Sequence, residues 1–106
     1  MVNKELLKKL ADELTADNAE DKIYWQENYD KRLSELSINL DDTIDYLNNC
    51  DKREFLCASE VFDELSEHFK SQRLIECVEK NVKRFDDERF IEDIEKELNY
   101  MKKHLQ

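Results

Sequence analysis

Neither glycine nor proline occurs anywhere in the chain. An average protein would carry about 7% and about 5% of them. Tight hairpin turns need positive φ at their central residues, which glycine, Asn-Gly and Asp-Gly supply, and none of those dipeptides is present. A multi-stranded sheet is hard to close with this alphabet. Helices meet no such obstacle, since asparagine can take the left-handed position at a helix end. The sequence therefore predicts an all-α protein. Its 106 residues suit one domain able to bury a real core.

Charged residues make up 42% of the chain and apolar ones 40%. That balance could belong to a disordered chain, but Leu, Ile, Val, Phe, Tyr and Trp recur at spacings of three and four, as helices with one apolar stripe require. Six helices are expected. The first runs from near Asn3, its cap, to Leu14, with Leu6, Leu7, Leu10 and Ala11 on one stripe. The second spans about Ala19 to Leu36, with Ile23, Leu33 and Leu36 inward. A short joint, Ser37 to Leu40, leads to a third helix capped by Asp41 or Asp42, stopping at Asn48-Asn49, with Ile44 and Leu47 inward. Asp51-Lys52-Arg53-Glu54 reads as a capping box. It opens a fourth helix reaching Phe69, with Phe55, Ala58, Phe62 and Leu65 inward. Ser71 caps the fifth, Gln72 to Phe85, with Leu74, Ile75, Val78 and Val82 inward. Asp86 or Asp87 caps the sixth, which carries Phe90, Ile91, Ile94, Leu98, Met101 and Leu105. Joints of two to four residues predict antiparallel neighbours, in a compact bundle or a short HEAT-like array.

The formal net charge is −10. Such a chain repels nucleic-acid phosphate and anionic membranes, and is steered toward basic proteins. No apolar run approaches the roughly 20 residues of a membrane span. Met1 to Leu10 has Leu6, Leu7 and Leu10 among charges, unlike a secretory leader. Cys50, Cys57 and Cys77 form an odd set at irregular spacing. Together these predict a cytoplasmic protein with free, buried thiols.

Catalytic constellations are missing from the pattern. A hydrolytic site needs Ser or Cys near His and exposed backbone N–H groups. Only His68 and His104 are available, and His104 lies near the frayable C-terminus. Phosphate-cradling loops need glycine. The Glu-x-x-His pair of di-iron bundles does not occur. Glu60, Glu64 and His68 stand four apart along the expected fourth helix, which reads as a solvated acidic stripe. We expect no enzyme, no cofactor and no bound metal.

Acidic surface remains. Asp86 to Glu97 holds seven acids against two bases, among them Asp87, Glu88, Glu92 and Asp93. Glu60, Asp63, Glu64 and Glu67 form a second cluster. Asp12, Glu13, Asp17, Glu20 and Asp21 form a third. Acids near helix starts partly serve the helix dipole. Tyr24, Trp25 and Tyr29 cannot all share a buried face at 100° per residue, and Tyr and Trp are residues of binding hot spots. These aromatics, with Glu60, Asp63, Glu64 and Glu67 of the second cluster and Asp86, Asp87, Glu88, Glu92 and Asp93 of the first, are the candidate partner-binding residues.

The stretch Ser59-Glu60-Val61-Phe62-Asp63-Glu64-Leu65-Ser66-Glu67-His68-Phe69-Lys70-Ser71, then Leu74-Ile75-Glu76, preceded by Ile44-Asp45-Tyr46-Leu47 and the Cys50 joint, resembles small helical immunity proteins of bacterial polymorphic-toxin and contact-dependent inhibition systems. The likeness spans roughly residues 41 to 85. It implies a cytoplasmic antitoxin that binds one cognate toxin, often a nuclease with a basic cleft, and blocks it. It implies no catalytic residue. A different reading of the same sequence is an acidic helical adaptor or regulatory homodimer, joined through the Trp25 region.

Overall fold

The structure is a computed structural model, and it describes residues 2–14, 22–85 and 87–105, the side chains of residues 14 and 22–24 excepted. Among the described residues the only regular elements are seven α-helices: α1 (Lys4–Leu14), α2 (Lys22–Leu36), α3 (Leu40–Asn49), α4 (Lys52–Ser59), α5 (Phe62–Phe69), α6 (Gln72–Phe85) and α7 (Glu88–Lys103). The all-α expectation holds. The expected fourth helix, however, is two helices, broken at Glu60-Val61.

The break has a physical cause on another helix. Position 61 in a continuous helix would donate its N–H to the carbonyl of Cys57. Arg32 of α2 takes that carbonyl instead, through Nη1. The Val61 N–H bonds the Ala58 carbonyl at 3.0 Å, and the Leu65 N–H restarts the α pattern on the Val61 carbonyl at 2.9 Å. Arg32 is 1% exposed. Its Nε donates to Asn28 Oδ1 at 2.7 Å, and Nη1 also stands 3.5 Å from Glu60 Oε1. Nη2 is buried without a partner. Asn28, itself buried, passes the connection on by donating to the Leu10 carbonyl of α1 at 2.8 Å. The inward side of α2 is thus Asn28, Arg32 and Leu36, spaced by four, two of them polar. That is why its apolar pattern is so irregular.

Helix ends follow the same logic. The last carbonyls of a helix lack partners within it, and glycine usually relieves them. Here side chains from elsewhere do so. The Thr43 hydroxyl donates to the Leu36 carbonyl at the end of α2, at 2.6 Å. Arg84 of α6 donates to Leu47 and Cys50 carbonyls at the end of α3, at 3.3 and 3.0 Å. Ser66 of α5 donates to the Met101 carbonyl near the end of α7, at 2.9 Å. Among the described residues only α5 ends in the left-handed turn, and a lysine adopts it: Lys70 has φ 46° and ψ 51°. At the other ends, Asn3, Asp51 and Asp87 cap as expected, and Asp51-Glu54 forms the full capping box. The cap of α3 is Asn39 rather than Asp41 or Asp42; its Oδ1 accepts from the Asp42 N–H at 3.0 Å. Asn39 precedes the first helical turn with extended backbone (φ −150°), as a cap requires. Asp86, the other candidate for α7, lies outside the described residues.

The core gathers Phe55 and Phe62 with Leu47, Leu65, Leu74, Ile75, Val78 and Met101. Phe55 sits at the centre of an aromatic cluster, 5.4 Å from the rings of Phe62 and Phe85 and 5.7 Å from Phe90. α5 and α6 each pack on α7, α3 on α6, α1 on α2 and α4, and α2 on α5. The expected core residue Leu105 falls outside, exposed beyond the end of α7.

Two substitutions separate buried from exposed cations. Arg32→Ala should cost about 3–5 kcal/mol, because Glu60, Asn28 and the Cys57 carbonyl lose a buried charged partner. Arg73→Ala breaks an exposed pair with Asp41 and should cost less than about 1 kcal/mol. Urea unfolding midpoints check both. Lys70→Gly should stabilise by about 0.5–1 kcal/mol, since the left-handed turn crowds a Cβ; the same titration reads it.

Candidate functional site

The break after α4 turns α5 so that its acidic first turns lie between α2 and α7. Three helices meet there, and they bring together residues far apart in sequence. Trp25 and Tyr29, both half-buried, pack with ring centroids 5.2 Å apart and planes tilted by 33°. Tyr29 stands beside Glu64 and Asp63 of α5, with the Arg32 guanidinium 5.7 Å from its ring. Burial first, and then the Glu64 carboxylate, hold the Tyr29 phenol well above its ordinary value, so it keeps its proton. From α7, Glu97 approaches Asp63 and Glu64, and His104 Nε2 lies 2.8 Å from Asp63 Oδ1. Burial and those two carboxylates push Glu97 above the usual carboxylate range.

The charges on this seam are unevenly answered. Glu60 is held by Arg32, and Asp63 has a hydrogen-bond contact with the His104 ring. Among the described residues Glu64, Glu67 and Glu97 form no ion pair. The seam therefore offers half-buried aromatic surface beside uncompensated carboxylates.

The other candidates lie apart from it. Asp87 is absorbed by the fold: it caps α7 and pairs with Lys52, whose ammonium holds its carboxyl below the ordinary value. Glu88, Glu92 and Asp93 are exposed on the first two turns of α7. Asp93 shares a shallow cleft with Lys52 and Arg89, so the charge there is mixed. Asp86 is outside the described residues, and Tyr24 is described only in its backbone. Sequence reading missed Glu97 and His104 as neighbours of α5. Their signal was faint: Glu97, Met101 and His104 follow a three-and-four spacing, one face of α7.

His68 Nε2 meets the Ser37 backbone carbonyl at 3.1 Å, and His104 meets Asp63. All three cysteines are free and buried. Burial raises every one of them, Cys50 to about 12, so none is a thiolate at neutral pH. The acidic stripe of Glu60, Glu64 and His68 is interrupted by the break, and among the described residues no three His, Cys, Asp or Glu side chains converge to hold a metal ion. No described helix is long and apolar enough to cross a membrane.

No protein-family model matches the chain, and no curated protein or solved structure shows significant similarity to it.

The thiols give a direct check on the packing. With Ellman's reagent near neutral pH, native protein should react far more slowly than the same protein in denaturant, where all three thiols become available. Rapid native reaction of even one thiol would contradict the burial described above.

Proposed function

We propose that the chain is an immunity-type protein: a non-catalytic cytoplasmic antitoxin that binds a basic toxin domain, a nuclease by its charge requirements, through the α2–α5–α7 seam. The observation carrying this reading is the packed Trp25–Tyr29 pair set beside Glu64, with Glu64, Glu67 and Glu97 unanswered by any cation in the described structure. Half-buried aromatics supply contact area at little entropic cost. Carboxylates around them would face the lysines and arginines with which a nuclease holds phosphate. Short joints between helices, as in an antiparallel bundle or stacked helix pairs, would present that face without reorganisation. Glu88, Glu92 and Asp93 would add long-range steering from the far end of α7.

Self-association through the same face is disfavoured. A two-fold contact sets a patch against its own copy, which would bring six uncompensated carboxylates together if Glu64, Glu67 and Glu97 lay in it. A monomeric mass by light scattering is the expected result.

The test is binding to the toxin-like domain encoded beside this chain, by stopped flow and calorimetry. Sub-micromolar affinity is expected, with an association rate that falls steeply with salt. Glu64→Lys should slow association by about tenfold or more, and Trp25→Ala should weaken binding by about 2 kcal/mol, mainly through dissociation. An adjacent gene with no toxin-like product, or binding indifferent to both substitutions, would remove the proposal's basis.

A further inference from the structure

A cavity of about 230 Å³ opens where α1, α3 and α4 adjoin, on helices other than those of the α2–α5–α7 seam. Its inner wall is Tyr46 of α3 and Cys50 at the end of that helix, 4% and 6% exposed. Its outer walls carry Lys4, Glu5 and Lys8 of α1 and Glu54 of α4. The Tyr46 hydroxyl has no hydrogen-bond partner among the described residues. A buried polar atom left unbonded costs about 1–3 kcal/mol, and among the described side chains only Arg32 Nη2 is sealed away in that state. The Tyr46 hydroxyl is unbonded but not sealed, so it keeps an opening, and the cavity it lines provides one. Burial holds this phenol well above its ordinary value, with smaller contributions from Cys50 and Glu54. It therefore stays protonated and stands as a donor without an acceptor.

We propose that this cavity binds a small uncharged molecule, mostly apolar and carrying one hydrogen-bond acceptor, which takes the Tyr46 hydroxyl. Charge around the cavity selects no ion. Lys4 and Lys8 stand against Glu5 and Glu54, equal in number. Lys4 already lies 3.4 Å from Asp45, and Glu54 accepts from the Asp51 N–H at 3.5 Å. The inner wall is the aromatic ring and the thiol, which favour an apolar body. Binding there is non-covalent: burial pushes the Cys50 thiol up to about 12, and its Sγ faces the Leu47 carbonyl at 3.7 Å. Size sets the class of ligand. A dry cavity of roughly 150 Å³ is enough for one benzene ring, so this one takes a single ring with a short substituent. A ligand of that shape without an acceptor would leave the Tyr46 donor bare, and such sites discriminate against it. Nothing in this site depends on toxin binding through the α2–α5–α7 face.

Acetophenone, one ring bearing one carbonyl, is the probe, titrated into the full chain and followed by amide NMR shifts. Ethylbenzene has nearly the same shape without the acceptor, and benzoate adds a negative charge. Saturable shifts are expected at the amides of Tyr46, Asn49 and Cys50, which line the cavity. Acetophenone should bind about fivefold or more tighter than ethylbenzene, and benzoate no tighter than acetophenone. Tyr46→Phe keeps the ring and should bring the two neutral compounds to equal affinity. It should also leave the melting temperature unchanged, since the hydroxyl has no protein partner to lose. Shifts that never saturate, equal affinities in the wild type, or tighter binding of benzoate would overturn the site. So would a preference for acetophenone that survives Tyr46→Phe, or a lowered melting temperature in that variant, which would show the hydroxyl already bonded within the protein.

Discussion

The bond from Arg32 to the Cys57 carbonyl organises the molecule. It does three things at one point. It ends α4 early, it ties α2 to the α4–α5 joint, and it places a buried charge beside Glu60. A buried cation is costly unless paired and hydrogen-bonded, and here Asn28, Cys57 and Glu60 all contribute. The chain accepts one unpartnered nitrogen, Nη2, as part of that arrangement. Without the break, residues 52–69 would run as one helix, and Asp63 and Glu64 would not be turned toward Tyr29 and Glu97.

Charge on the surface has two different fates. Where acids serve helix starts, as at Asp51 and Asp87, they are consumed by local N–H groups and nearby lysine. Where they gather between helices, as at Glu64 and Glu97, nothing in the described structure neutralises them. The second kind keeps its field for whatever approaches, and it lies beside the Trp25–Tyr29 ring pair. Formal net charge alone could not tell these cases apart.

Much of the fold was legible because periodicity and caps are local. The ends of α6, the capping box of α4 and the stop at Asn48-Asn49 all follow from residues within one turn of each other. The break at Glu60-Val61 was not, because neither residue is a helix breaker and the cause, Arg32, lies 25 positions before Cys57. The inward side of α2 was read only in part for the same reason: Leu36 is buried and Leu33 packs against the core as expected, but Asn28 and Arg32 look like surface residues until their partners are known. For the candidate site, the aromatic pair and the α5 acids could be picked out individually. Their meeting with Glu97 and His104 depends on how α5 lies against α7, and no spacing within the sequence encodes that packing.

The carbonyls at the ends of α2, α3, α4 and α7 are satisfied by Thr43, Arg84, Arg32 and Ser66, each from a different helix or joint. A glycine-capped helix can finish itself; these cannot. Peptides cut from this chain should therefore hold little helix when isolated, and the intact domain should gain its helix ends and its packed interior in a single cooperative transition. Doing without glycine makes local order here a product of assembly.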